Sequence, residues 1–240
     1  MKVIVCENYE EMSAKCAEIF AELIKNKPDC TLGLATGSTP EGLYRNLADL
    51  YKKGELDFSK VKSYNLDEYY PIKASNDQSY RYFMNDKLFN HINIDKANTF
   101  VPNGEAENPD EECKRYEKML DEVGGVDIQL LGIGQNGHIG FNEPDEKLCL
   151  VTHLTGLTES TISANARFFN DISEVPTKAL TMGIGSIFKA KKVVLLASGK
   201  NKKDAITQLL DDSLTTSNPA TMLKLHSDLV IICDKEAYGE

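Results

Sequence analysis

The sequence predicts an α/β fold of three layers, in which a mostly parallel sheet carries helices on both faces in a modified Rossmann-like arrangement. Apolar runs of strand length alternate with segments of helical pattern from one end of the chain to the other, as they do in βα units. Four apolar runs end in a polar cluster, as strands do at the binding edge of an open α/β sheet. A chain of 240 residues suits one domain, residues 1–240.

The first two strand–helix pairs carry clear boundary signals. Lys2–Cys6 reads as a strand, and Asn8 is a suitable N-cap for a helix that continues to about Lys25 because apolar residues follow it at helical spacing. Cys30–Ala35 is a second apolar strand. A hydroxyl residue followed by a proline then predicts the start of a helix over about Pro40–Tyr51.

The later elements continue this alternation, with glycine or proline at many of the boundaries. Strands are predicted at Val61–Leu66, Val126–Ile133, Val151–Leu157, Lys178–Ile184, Lys192–Ala197 and Leu229–Cys233, and helical segments at Gln78–His91, Pro109–Val123, Glu159–Arg167 and Asn201–Leu210.

The four polar clusters are TGST (residues 36–39), NLDEY (65–69), GQNGHIGFNE (134–143) and SGKNK (198–202). Each follows a predicted strand. Because the carboxyl ends of parallel strands lie at one edge of a sheet, we expect the clusters to meet there although the first and last are far apart in the chain.

The TGST cluster has the composition of an anion-binding turn. It places hydroxyls and a glycine before a helix start, where backbone N–H groups are unpaired and the helix dipole favours negative charge. The alternative is an ordinary N-cap, which needs only one hydroxyl. The cluster is not a nucleotide P-loop, because the G-x-x-x-x-G-K-[ST] pattern is absent.

Two adjacent acids, Asp67 and Glu68, follow the third strand. Alternation along an extended chain sends them to opposite sides, so at most one readily faces a shared cleft. The alternative is that both are solvated acids in a loop, which is common for acidic residues.

The third cluster presents an imidazole and a carboxylate after a glycine-rich turn. Glycines permit the sharp turn, and His138 and Glu143 follow within six residues of it. Gly132, Gly134 and Gly137 also match G-x-G-x-x-G. A dinucleotide site needs a helix at the third glycine, and the residues that follow here oppose one, so we do not predict NAD or FAD binding.

Composition excludes several classes of protein. The net charge of −10 and the lack of a basic stretch argue against nucleic acid or anionic membrane as a partner. Six scattered cysteines without C-x-x-C pairs indicate neither a zinc site nor a disulfide framework. Neither a signal peptide nor an apolar stretch long enough to span a bilayer is recognisable, so we expect a cytoplasmic protein.

Five motifs of the chain resemble, in order and spacing, those of the glucosamine-6-phosphate deaminase (isomerase) family, in its short non-allosteric type. They are LATGSTP, YNLDEY, LLGIGQNGHIGFNEP, ANARFF and SGKNK. The resemblance covers nearly the whole chain. It implies conversion of D-glucosamine 6-phosphate to D-fructose 6-phosphate and ammonia in amino-sugar metabolism, by a hydrolase that acts on an amino-sugar phosphate without a cofactor or a metal.

The resemblance also implies residue roles. Asp67 would be the general base, and His138 would open the sugar ring with Glu143 and with Asn136 beside it. The groups that would bind the substrate and its phosphate are Thr36, Gly37, Ser38, Thr39, Gly137, Arg167 and Lys202. The chemistry suits these residue types, because an imidazole can exchange protons near neutral pH and one carboxylate can move a proton between neighbouring carbons.

Two departures from the family pattern lead to expectations. Many members have aspartate at the position of Asn136, and an amide can orient the imidazole but cannot balance its charge. Glu143 is therefore expected to be the principal acidic partner of the imidazole.

Allosteric members carry basic residues where this chain has Val151–Thr155. We expect no activation by N-acetylglucosamine 6-phosphate, and a monomer or small homo-oligomer.

Three alternatives stay open from the sequence. Two are enzymes, a 6-phosphogluconolactonase and a galactosamine-6-phosphate deaminase. The third is a non-catalytic sugar-phosphate sensor, since effector domains of some transcription regulators resemble this fold. A sensor would not need Asp67, His138 and Glu143 together.

Overall fold

The computed structural model describes residues 1–158, 162, 171 and 175–240. Its strands in chain order are β1 (Lys2–Cys6), β2 (Thr31–Leu34), β3 (Lys62–Asn65), β4 (Asp67–Tyr70), β5 (Thr99–Phe100), β6 (Ile128–Gly132), β7 (His153–Gly156), β8 (Lys178–Thr181), β9 (Val193–Ala197) and β10 (Leu229–Asp234). Seven of them form a parallel sheet in the order β1-β10-β9-β6-β2-β3-β5. The predicted three-layer α/β fold is confirmed.

The helices are α1 (Tyr9–Asn26), α2 (Glu41–Lys52), α3 (Tyr80–Lys87), α4 (Pro109–Glu122), α5 (Ile184–Phe188), α6 (Lys203–Leu210) and α7 (Lys235–Tyr238). The predicted cap of α1 is present, since the side chain of Asn8 accepts a hydrogen bond from the N–H of Glu11. The helix predicted at Glu159–Arg167 lies outside the described residues apart from Ile162. Among the described residues, no helix has the length and hydropathy needed to cross a bilayer.

The core lies on both faces of the parallel sheet. Every residue of β9 and β10 is buried, as expected for central strands that are covered by helices on each side. One face of α1 packs onto this layer through apolar residues at helical spacing, which include Met12, Cys16 and Phe20. Five of the six cysteines are buried thiols and none forms a disulfide.

A second, three-stranded sheet was not predicted. Its order is β4-β8-β7 and both pairings are antiparallel. The chain passes from one sheet to the other at Leu66, whose N–H donates to the carbonyl of Leu34 and whose carbonyl accepts from the N–H of Met182. Asp67 and Glu68 therefore lie in a strand, and their interpretation as loop residues is wrong.

The four polar clusters emerge side by side. The strands that precede them are β9, β6, β2 and β3, which are consecutive neighbours in the parallel sheet. Strands are spaced by about 4.8 Å, so the turns after β9 and β2 leave the sheet about 10 Å apart, with the turn after β6 between them. The prediction that the clusters share one edge is confirmed.

Candidate active site

The turn after β2 leaves its hydroxyl groups available. Helix α2 begins at Glu41 with Pro40 as its N-cap, and no side chain of the TGST cluster forms a capping hydrogen bond there. The N-cap alternative for the TGST cluster is therefore wrong. Among the described residues, none forms a hydrogen bond with the hydroxyls of Thr36, Ser38 or Thr39. Gly37 has a φ of +95°, a conformation that favours glycine.

The turn after β9 is fixed by a buried carboxylate. Asp234, 5% exposed at the end of β10, accepts hydrogen bonds from the Ser198 hydroxyl and from the N–H of Gly199, at 3.1 and 3.0 Å to its two oxygens. Gly199 has a φ of +90°, and its carbonyl accepts from the N–H of Lys202 at 3.0 Å. The half-buried Lys202 is thus placed by the turn. Sequence reasoning missed Asp234, although an acid at the end of an apolar strand was a signal.

The turn after β6 folds back on itself. The N–H of Gly134 donates to the carbonyl of His138 at 2.9 Å, and the N–H of Gly137 donates to the carbonyl of Gly134 at 3.1 Å. A Cβ atom on Gly134 would clash with the His138 ring, so the glycine lets the imidazole lie against the turn. No helix follows Gly137, as predicted from the residues after it, whereas a dinucleotide fingerprint has a helix at its third glycine.

The structure brings Asn136, His138 and Glu143 together. The Nδ1 atom of His138 lies 3.3 Å from Oε2 of Glu143, and Nδ2 of Asn136 donates to the same oxygen at 2.7 Å. Oδ1 of Asn136 accepts from the backbone N–H of His138 at 3.2 Å. The expected pairing of Glu143 with His138 is present. The amide of Asn136 orients the carboxylate and the backbone. Nδ1 of His138 lies close to that carboxylate but forms no hydrogen bond with a described residue.

Asp67 is a buried carboxyl group that faces this same turn. A Cβ atom on Gly140 would lie 3.5 Å from its Oδ2 atom, so the carboxyl group lies beside the segment that joins His138 to Glu143. It is 7% exposed, and none of the described residues donates a hydrogen bond to it. Burial raises the pKa of Asp67 to about 8, with a further rise from the charge of Glu68.

Glu68 points the other way and has a structural role. Its carboxylate accepts hydrogen bonds at 2.8–2.9 Å from the N–H groups of Tyr80 and Arg81 at the start of α3 and of Tyr69 in β4. Burial raises the pKa of Glu68 to about 7, and the three N–H groups oppose that rise. The predicted divergence of the two acids is confirmed. The alternative of two solvated acids is wrong, because both are buried.

Aromatic rings form an apolar wall next to the two acids. The rings of Tyr69 and Tyr80 have centroids 4.7 Å apart, and those of Tyr80 and Phe141 are stacked at 6.1 Å. Sequence reasoning did not identify this wall, because its members come from β4, α3 and the turn after β6. Burial of the Asp67 carboxyl group is the main physical cause of its raised pKa.

One of the expected site residues has no structural description. Arg167, assigned to the phosphate by resemblance, lies outside the described residues. In the part of the chain that is described, no group of three or more His, Cys, Asp or Glu side chains could hold a metal ion.

Comparison with known proteins gives consistent matches over the full chain. A family model described as glucosamine-6-phosphate isomerases/6-phosphogluconolactonase matches residues 7–232. The glucosamine-6-phosphate deaminase of Clostridium beijerinckii is 58% identical over 236 residues, 98% of each chain. That of Thermoanaerobacter pseudethanolicus is 59% identical over 237 residues, 99% of this chain and 94% of the relative.

Solved structures agree in fold. A structure described as a monomeric glucosamine-6-phosphate deaminase matches with a TM-score of 0.97 at 48% identity, over 100% of this chain and 99% of that one. The 6-phosphogluconolactonase from Trypanosoma cruzi matches with a TM-score of 0.79 at 20% identity, over 100% and 96% of the two chains. At that identity the second likeness concerns the fold alone.

Proposed function

Because the chain belongs to the glucosamine-6-phosphate isomerase/6-phosphogluconolactonase family, we propose that it converts D-glucosamine 6-phosphate to D-fructose 6-phosphate and ammonia. The observation that carries the proposal is the identity of 58% over 98% of the chain to a glucosamine-6-phosphate deaminase. The arrangement of Asp67 beside the turn that holds His138 and Glu143 supports it.

Ring opening is assigned to His138. Opening a pyranose removes the proton of the anomeric hydroxyl and delivers a proton to the ring oxygen, and a positioned imidazole can do both. Glu143, 3.3 Å from Nδ1, stabilises the imidazole when it carries the extra proton. Asn136 fixes the carboxylate in that position through its 2.7 Å hydrogen bond.

Isomerisation is assigned to Asp67. Its carboxylate removes the proton from C2 of the open-chain sugar, which leaves an enolamine with a C1–C2 double bond, and the carboxylic acid then returns a proton to C1. A carboxyl group whose pKa is raised to about 8 is suited to both steps, because it holds the proton well enough to deliver it. The C2 imine that results adds water and releases ammonia.

The phosphate is assigned to the two turns on either side of the β6 turn. Ser38 and Thr39 contribute hydroxyls and Lys202 contributes positive charge. Arg167 is assigned to the phosphate by resemblance alone. Thr36, Gly37 and Gly137 line the space between. Binding the phosphate at a distance from C1 and C2 positions the reacting carbons and lowers the entropic cost of the reaction.

The term hydrolase, which the resemblance implied for this enzyme, describes only one step of the proposed reaction. The family and the relatives are described as isomerases and deaminases, and the central step moves a proton between two carbons. Water is consumed once, when it attacks C2 and displaces ammonia. We therefore assign hydrolysis to the last step, after an isomerisation that involves no redox change.

We further propose a cytoplasmic enzyme that works as a monomer or small homo-oligomer and is not activated by N-acetylglucosamine 6-phosphate. A relative that is 48% identical over the whole chain is described as monomeric, which supports the first part. Sigmoidal kinetics that become hyperbolic when N-acetylglucosamine 6-phosphate is added would contradict the second.

The proposal is tested by comparing three substrates on the purified protein. We expect ammonia release from glucosamine 6-phosphate, much less from galactosamine 6-phosphate, and no hydrolysis of 6-phosphogluconolactone. Faster turnover of the galacto compound would reassign the substrate, and lactone hydrolysis would reassign the reaction. Binding of these phosphates without turnover would favour a sensor.

A further inference from the structure

Tyr9 connects the first helix to the turn after β2. It is the first residue of α1 and is half-buried. Its hydroxyl donates a hydrogen bond to the carbonyl of Ser38 at 3.0 Å and accepts one from the N–H of Gly42 at 2.7 Å. One hydroxyl group therefore holds both the TGST turn and the first turn of α2.

This contact replaces the usual cap of a helix. The first N–H groups of a helix have no partner within the helix, and a Ser or Thr hydroxyl just before it commonly accepts from one of them. In α2 that acceptor is the phenol of Tyr9, supplied from a residue 33 positions away. The hydroxyls of Ser38 and Thr39 are therefore not needed to cap the helix, and they can bind a ligand.

The local packing allows the phenol to reach this position. A Cβ atom on Gly42 would lie 3.0 Å from the Tyr9 oxygen and would clash with the side chain of Ser13. Helices α1 and α2 thus approach closely where Gly42 has no side chain. The position of the phenol is consequently set by helix packing, independently of any ligand.

We propose that Tyr9 is a positioning residue for phosphate binding, which keeps the Ser38 and Thr39 hydroxyls directed at the ligand by capping α2 in their place. The inference rests on the proposed function in so far as the phosphate belongs to the substrate. Without the phenol, the N–H of Gly42 lacks its acceptor, and a hydroxyl of the turn can rotate to cap the helix. That hydroxyl is then lost to the phosphate.

The test is Tyr9→Phe, which removes one oxygen atom and keeps the ring. We expect KM for glucosamine 6-phosphate and the inhibition constant of inorganic phosphate to rise together by about 5- to 20-fold, while kcat changes by less than about twofold, because the lost hydrogen bonds act on binding. Tyr51→Phe is the matched control. Tyr51 lies at the other end of α2, its ring packs against Phe58, and no described residue forms a hydrogen bond with its hydroxyl.

The outcomes separate a positioning role from a purely structural one. A lower melting temperature with unchanged KM and unchanged phosphate inhibition would overturn the inference, as would a loss confined to kcat. Titration calorimetry with inorganic phosphate provides a readout without turnover. Phosphate affinity that depends on Tyr9 in a protein that releases no ammonia would uphold the inference and reject the function. A wild-type protein with no affinity for phosphate would overturn the inference.

Discussion

Nδ2 of Asn136 donates a 2.7 Å hydrogen bond to Oε2 of Glu143, so the amide acts on the carboxylate that faces His138, and its other hydrogen bond is with the backbone N–H of His138. The same oxygen lies 3.3 Å from Nδ1 of His138. A neutral donor at position 136 fixes the geometry of the pair and leaves Glu143 as its acidic member. The residue at position 136 therefore controls how much negative charge surrounds the imidazole.

Asn136→Asp adds a second carboxylate at hydrogen-bonding distance from Glu143. Two carboxylates this close favour a shared proton, and the added charge favours the protonated form of every titrating group in the cleft. We expect the acid limb of the kcat/KM profile to move upward by about 0.5–1 pH unit. Asn136→Ala, which adds no charge, should lower the rate with little shift of the limb. A limb that stays in place in the Asp variant would contradict this account.

Asp67→Asn should change how stability depends on pH. The pKa of Asp67 is raised to about 8 in the folded protein and is about 3.9 in an unfolded chain. The folded state thus retains the proton between these values, and the stability that Asp67 contributes is fully present below about pH 4 and is lost as the pH rises towards 8. An asparagine side chain does not ionise, so its contribution to stability does not fall as the pH rises.

We therefore expect Asp67→Asn to unfold with a larger free energy than the wild type at pH 9, by an amount on the order of a few kcal/mol, and with a similar one near pH 4–5. Urea denaturation at pH 5, 7 and 9 measures this. Glu68→Gln serves as the comparison, because that side chain anchors α3 and its replacement should be destabilising. Parallel stability curves for wild type and Asp67→Asn would show that the carboxyl group titrates normally.

Asp234→Ala should weaken substrate binding through the turn after β9. The variant leaves the Ser198 hydroxyl and the Gly199 N–H without their acceptor, so the turn that carries Lys202 is no longer fixed. We expect KM to rise about tenfold or more with a smaller change in kcat, together with a loss of about 1–3 kcal/mol in stability. Steady-state kinetics and thermal unfolding measure the two effects. An unchanged KM would show that the turn after β9 does not contribute to phosphate binding.

Gly137→Ala tests the packing beneath the His138 turn. Gly137 has a φ of +82°, and a Cβ atom there would clash with the fully buried side chain of Asn218. Gly54 has a φ of +75° with nothing near its Cβ position, so Gly54→Ala measures the backbone strain alone. We expect a loss of about 1 kcal/mol for Gly54→Ala and about 2–4 kcal/mol for Gly137→Ala. Equal losses would show that Asn218 moves aside without cost.

Much of this architecture could be predicted because it depends on local patterns. The alternation of apolar runs placed most strands within a few residues, and the period of an extended chain correctly separated Asp67 from Glu68. The resemblance grouped Asn136, His138 and Glu143, which the structure brings together. Spacing alone placed only His138 and Glu143 after the same turn, and the role of Asn136 came from the resemblance.

The features that were missed depend on long-range packing. Tyr9 caps α2 across 33 positions, and Asp234 fixes Gly199 across 35. An acid at the end of an apolar strand marks Asp234, but no local pattern tells which distant turn it contacts. The antiparallel sheet escaped prediction because β4 follows β3 after one residue, and a four-residue strand reads as the end of the strand before it. The hydroxyl before Pro40 was a plausible cap by local rules, and tertiary packing supplied a different one.

The central claim is that one carboxyl group, Asp67, moves the proton between C2 and C1 of an amino-sugar phosphate. The most direct measurement is ammonia release from glucosamine 6-phosphate by the wild type and by Asp67→Asn, with inorganic phosphate affinity measured in both. We expect turnover to fall by about 10²–10⁴-fold in the variant, with phosphate affinity retained. Turnover within a few-fold of the wild type would contradict the claim and assign the proton transfer to another residue.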